Sequence, residues 1–137
     1  MKPVVLDTNI VLDLFVFGDP ATAPLRVALE QRTWHWIATT AMREELARVL
    51  AYPQIVKSLA HHGIAAAAVL SQFDAHVQLV VVAPKASVTC KDPDDQKFID
   101  LAVTHGAQLL SQDNAILCMA KRLQALGVRT GVALEQA

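Results

Sequence analysis

No excess of either charge marks this chain: 12 Lys and Arg stand against 13 Asp and Glu, a formal balance of -1. That excludes a grip on nucleic acid through overall positive charge, so any polyanion must be held by a local basic patch. Cysteine is scarce too. Cys90 and Cys118 are the only two; they lie far apart in sequence and share no metal-type spacing, which fits inert thiols in a reducing compartment. Long apolar runs are missing as well. Asp7, Asn9 and Asp13 interrupt what would be a signal-peptide core, and no stretch approaches the roughly 18 apolar residues of a membrane span. A cytoplasmic location with no membrane partner is the expectation. His35, His61, His62, His76 and His105 show no ligand spacing, and repeats, low-complexity tracts and interdomain linkers are not evident.

What is present describes a compact chain. With 53% hydrophobic and 18% charged residues over 137 positions, one domain covering 1–137 is expected, burying about two-thirds of its unfolded surface. The lean charged surface leaves room for an apolar patch given to a partner. Val4-Val5-Leu6 reads as a buried strand ending at Asp7, and Ile10, Val11, Leu14 and Phe15 give a helix that Gly18-Asp19-Pro20 breaks. A helix over 22–31, a strand over 34–39, a helix over 41–50, a short helix from Pro53 and an alanine-rich helix over 64–76 follow. Strand three is expected over 78–82. A loop leads to Asp92-Pro93, the N-cap and first position of a helix ending at Gly106. Leu109-Leu110 then make strand four, one long helix runs over 115–126, and a weaker strand over 128–134 closes the chain.

Strands separated by helices imply a parallel sheet in a three-layer α/β/α arrangement with right-handed crossovers. Spacing alone leaves the strand order open. An order of 3-2-1-4-5 would set strands one and four side by side where the winding reverses, making Asp7 and Asp113 neighbours in the crevice where such sheets bind ligands.

Two further acids lie on surfaces that look inward. At about 100° per residue, Glu45 falls on the edge of the arc formed by Met42, Leu46, Val49 and Leu50, with Glu44 opposite. The same construction aligns Asp95 with Phe98, Ile99 and Ala102 and turns Lys97 and Asp100 toward solvent. Each acid has a structural alternative: Asp7 and Asp113 could cap the helices after them, Asp95 could answer a capping box, and Glu45 could snorkel. Together they point elsewhere. Two charges ~5 Å apart repel by about 3 kcal/mol at an effective dielectric of 20, so four converging carboxylates take up protons or bind a cation. Oxygen ligands without His or Cys select Mg²⁺ or Mn²⁺. Asp92 and Asp94 read mainly as N-cap and first-turn acids, with Asp92 a supporting candidate for contact with a metal.

With Asp7-Thr8-Asn9, Glu45-Leu46, Asp92-Pro93-Asp94-Asp95 and Ser111-Gln112-Asp113 in that order, the sequence resembles the PIN-domain family, in particular the small prokaryotic members described as toxin components of toxin–antitoxin systems. The similarity spans nearly the whole chain. It implies the 3-2-1-4-5 sheet, a metal-binding nuclease site formed by Asp7, Glu45, Asp95 and Asp113, and a ribonuclease acting on single-stranded RNA with Mg²⁺ or Mn²⁺. It also implies an antitoxin protein as partner and homodimerisation. Thr8 and Asn9 match the polar pair that hydrogen-bonds around the first acid, and Ser111 keeps a hydroxyl where the family commonly has Thr.

Two other phosphate-handling classes fit poorly. A haloacid-dehalogenase-type phosphatase needs a second acid where Asn9 stands, and a response-regulator receiver wants Asp after strand three, where the chain reads Val82-Ala83-Pro84. The alternative from another class is a non-catalytic RNA- or partner-binding module on the same fold. Because the site is acidic, RNA needs a basic rim, for which Arg43, Arg48, Lys91, Lys97, Lys121 and Arg122 flank the acids.

Overall fold

Val4 and Val5 have no exposed surface, and a strand on each side is what buries them. In the computed structural model, which describes residues 2–134, β1 (Lys2–Leu6) runs parallel to β2 (Trp34–Ala38) and to β4 (Gln108–Leu110). The outer strands are β3 (Val77–Leu79) beside β2 and β5 (Thr130–Gly131) beside β4. The sheet is parallel throughout, in the order β3-β2-β1-β4-β5, with helices flanking it in a three-layer α/β/α fold. An interior parallel strand is covered on both faces, which is why β1 is a continuous apolar run rather than an alternating one.

Helices α1 (Thr8–Leu12) and α2 (Ala23–Glu30) lie between β1 and β2. The first continues through a π turn at Asp13–Phe17 to Gly18, whose φ of 59° ends it. Between β2 and β3 come α3 (Thr40–Leu50), α4 (Pro53–His62) and α5 (Ala66–His76). Trp36 fixes this half of the core, its ring 6.0 Å from that of Phe15 and 5.0 Å, edge-on, from that of Phe73. A 3-10 turn at Pro93–Asp95 leads into α6 (Gln96–His105), and α7 (Asn114–Leu117) with α8 (Ala120–Ala125) connects β4 to β5.

Three elements depart from expectation. Strand three covers 77–79 rather than 78–82, because β2 has only Trp36, Ile37 and Ala38 to pair with it. The last bond of that ladder, Val80 N–H to the Ala38 carbonyl at 2.9 Å, is followed by Val81 and Val82, 85% and 77% exposed. The last strand is likewise limited by its neighbour: β4 is three residues long, and the Ser111 N–H bond to the Gly131 carbonyl ends the pairing. The helix expected over 115–126 is two short helices. Its apolar positions Ile116, Met119 and Leu123 are all buried, and no glycine or proline marks the break at Cys118-Met119.

Candidate metal centre

Three backbone devices carry acids to one end of the sheet. The β1–β4 ladder extends one residue past β1 through a 2.9 Å bond from Asp7 N–H to the Leu110 carbonyl, which seats Asp7 beside the end of β4. Its carbonyl then accepts from Ile10 and Val11 N–H at 3.0 and 3.2 Å and starts α1, while its side chain caps nothing. The carboxylate is therefore free for the crevice. Asp113 starts α7 and does cap it, accepting from Ala115 N–H at 2.9 Å through Oδ1. Asp95 ends the 3-10 turn and precedes α6 without a side-chain cap bond, and Asp92 takes the capping role instead, accepting from Asp94 N–H at 3.0 Å.

One oxygen each of Asp7, Asp95 and Asp113 lies within 4.8 Å of the others. Ser111, fully buried, ties two of these acids: its hydroxyl donates to Asp7 Oδ2 at 2.7 Å and accepts from Asp113 N–H at 2.9 Å. Burial pushes Asp7 above the usual carboxylate range, against the pull of the Ser111 hydroxyl and the Thr8 N–H, and the charges of Glu45 and Asp113 add to the rise. Asp95 is only 6% exposed, and burial first, then a hydrogen bond to Asp113 and the charges of Asp7, Asp113 and Asp92, push it up to about 8. Asp113 moves the other way, held down chiefly by that hydrogen bond and then by the Ala115 N–H. The two neighbouring carboxyls thus resist being charged together, and Asp95 is the one pushed toward its neutral form. The remaining Asp95 oxygen, Oδ2, is buried with no partner. An all-oxygen set crowded enough to push one carboxyl toward its neutral form, with an orphaned buried oxygen, suits a hard divalent cation.

Glu45 stands beside this cluster rather than in it. Its Oε2 accepts from the Thr8 hydroxyl, and its Oε1 pairs with Lys97 Nζ at 2.8 Å. Lys97 therefore faces the crevice, against expectation. The helical phase itself holds, since Asp95, Phe98, Ile99 and Ala102 are all buried, but the long Lys97 stem folds back along the turn, its ammonium over the Phe98 ring and bonded to the Asp94 carbonyl and Glu45. Asp100 is a second correction, since it is no ordinary solvent charge. It accepts from Ala86 N–H at 2.9 Å and from Gln96 Nε2 at 2.8 Å, and Gln96 in turn binds the Val88 carbonyl and the Cys90 N–H, so the two side chains pin the loop after β3. No periodicity announces a residue that holds a loop.

Around the first acid, Thr8 bonds Glu45 by its side chain and Asp7 by its backbone, whereas Asn9 lies exposed on α1. Of the basic positions, Arg43 is turned away into a bidentate pair with Asp74 of α5, both bonds 2.8 Å. Arg48, Lys91, Lys121 and Arg122 are exposed, and the charge of Lys91 reaches Asp113. The two cysteines, distant in sequence, both meet the Ala115 carbonyl, at 3.4 Å from Cys90 Sγ and 3.5 Å from Cys118 Sγ. Burial pushes the Cys90 thiol up and keeps it unreactive.

Among curated proteins no relative matches the chain. The family model of the PIN domain matches residues 3–115, a span that includes Asp7, Glu45, Asp95 and Asp113. The chain belongs to the PIN-domain family. Among its described helices none is long and apolar enough to cross a membrane.

Proposed function

We propose that the protein is a Mg²⁺- or Mn²⁺-dependent endoribonuclease that cleaves single-stranded RNA, and that its 137 residues act as one unit as the toxin of a toxin–antitoxin pair. The observation that carries this reading is the convergence of Asp7, Asp95 and Asp113 oxygens within 4.8 Å of one another, with a buried Asp95 oxygen left without a partner. A divalent cation held by those three acids, with Glu45 as a further carboxylate, would supply charge neutralisation for the scissile phosphate and a more acidic water for in-line attack.

The chain's own groups do the rest. Ser111 and the Thr8 N–H fix the Asp7 carboxylate, and the Ala115 N–H and Ser111 Oγ fix Asp113, so two ligands are oriented before any cation arrives. Asp95, whose carboxyl is pushed up to about 8, must be deprotonated when a cation takes the carboxylates. Arg48, Lys91, Lys121 and Arg122 are the exposed bases that would attract phosphate toward an otherwise repelling site.

A non-catalytic module that binds RNA or a partner protein is the second reading. It is favoured by the partial neutralisation of the acids, with Asp95 pushed toward its neutral form and an ammonium on Glu45, which lets the crevice persist without a cation. Incubation of the purified protein with labelled single-stranded RNA or DNA, in Mn²⁺, Mg²⁺ or chelator, separates the two. Cleavage of RNA that chelator abolishes is expected, and cleavage unchanged by chelator, or no cleavage in any cation, overturns the nuclease reading.

A further inference from the structure

Of the four acids, Glu45 is the one whose two oxygens are both committed outside the cluster, to Thr8 and to Lys97. Lys97 follows Asp95 by two residues and so is held at the margin of the cluster by the chain itself. Its ammonium bonds Glu45 Oε1 at 2.8 Å and the Asp94 carbonyl at 2.5 Å, and lies 4.9 Å from the centre of the Phe98 ring. The Lys97 and Glu45 side chains remain 30% and 18% exposed, so each can turn without unpacking the core. The other ion pair among the described residues, Arg43–Asp74, lies on the surface and joins none of the four acids.

This arrangement has a chemical consequence. If Glu45 turns an oxygen to a divalent cation, Lys97 loses its carboxylate and is left as an uncompensated ammonium beside a doubly charged ion. An anion relieves that repulsion, and the anion such a crevice would receive is a phosphate. A flexible four-carbon stem ending in a compact charge suits a group that exchanges partners, as a planar guanidinium does not. Resting on the nuclease reading, we propose that Glu45 and Lys97 form an exchangeable pair: Lys97 neutralises Glu45 until a cation claims the carboxylate, and then donates to a non-bridging oxygen of the substrate phosphate.

Cation and phosphate then bind cooperatively, because each removes a cost that the other would meet, and the coupling must be reciprocal. Mn²⁺ affinity is measured by calorimetry on the full chain, with and without adenosine 5′-monophosphate as an uncleavable phosphate monoester, for wild type, Lys97→Met, Lys97→Arg and Asp7→Asn. Circular dichroism checks that each variant folds, and Lys97→Gln replaces Lys97→Met if the latter does not. In wild type, each ligand should tighten the other on the order of fivefold or more. Lys97→Met should bind Mn²⁺ alone more tightly than wild type, since no ammonium competes for Glu45, and should lose the coupling. Lys97→Arg should keep part of it. Lys97→Met with unchanged Mn²⁺ affinity and unchanged coupling overturns the exchange while leaving the nuclease reading standing, provided Asp7→Asn abolishes Mn²⁺ binding. Absence of Mn²⁺ binding in wild type overturns both.

Discussion

Ser111 and Asp7 are 104 residues apart in the chain and 2.7 Å apart in space, hydroxyl to carboxylate. The same hydroxyl accepts the Asp113 N–H, so one buried side chain orients two acids. Ser111→Ala should leave that N–H and one Asp7 oxygen without partners, at a cost of about 1–3 kcal/mol. Denaturant unfolding in chelator measures the loss, and Mn²⁺ affinity should fall in parallel. Unaltered stability together with unaltered Mn²⁺ affinity would show that the bond orients nothing.

Asp7→Asn separates site from scaffold. The Asn amide oxygen can still accept from Ser111, while the buried charge is gone, so stability in chelator should hold or rise. RNA cleavage and Mn²⁺ binding should disappear. A variant that melts well below wild type in chelator contradicts the view that Asp7 is a strained, functional charge.

The raised Asp95 carboxyl makes stability depend on pH. Folded Asp95 is raised to about 8 from 3.8, so between those values the folded protein holds a proton that the unfolded chain has lost. Its contribution is complete below about pH 4 and is lost as pH climbs through 8. Melting temperature in chelator should therefore fall from pH 5 to pH 8.5, and Asp95→Asn should flatten the slope. With Mn²⁺ present the trend should weaken or reverse, because the cation displaces the proton. A wild-type slope that Asp95→Asn leaves intact would place the titrating group elsewhere.

Asp100→Ala should loosen the loop after β3 by freeing the Ala86 N–H and Gln96 Nε2. A loss of about 1–2 kcal/mol is expected, with faster hydrogen exchange at Ala86. Exchange at Ala86 equal to wild type would mean that the loop is held by other contacts.

The exposed bases and Arg43 should behave differently on RNA. Replacing Arg48, Lys91, Lys121 or Arg122 with Ala should flatten the salt dependence of RNA binding by about one unit of slope for each true phosphate contact, whatever the RNA sequence. Arg43→Ala should leave that slope alone, since its guanidinium is committed to Asp74. Binding to the Asp7→Asn protein measured against salt gives both answers, and a flattened slope for Arg43→Ala would contradict its assignment.

The parallel sheet was legible because its signal is long and uniform: Val4-Val5-Leu6 and Leu109-Leu110 are apolar runs that stop at polar residues, and glycine or proline marks most of the helix ends between them. Strand lengths were not, since β3 and β5 end where their neighbours run out of residues, a property of pairs rather than of either segment. The same divide runs through the site. Asp7 and Asp113 follow from strand ends. The reach of Lys97 depends on a carboxylate 52 residues away, and the tasks of Asp100 and Arg43 depend on partners 14 and 31 residues away that no local pattern specifies.

Short outer strands also bear on how the borders of the sheet meet other chains. With three residues in β3 and two in β5, the sheet offers an approaching chain few free backbone groups on either border. Beyond Val80 the chain leaves the sheet, and Pro84 lacks an N–H to donate. The exposed Val81 and Val82 are thus displayed on a loop rather than on an extended ladder, where they would template border-to-border stacking and fibre growth.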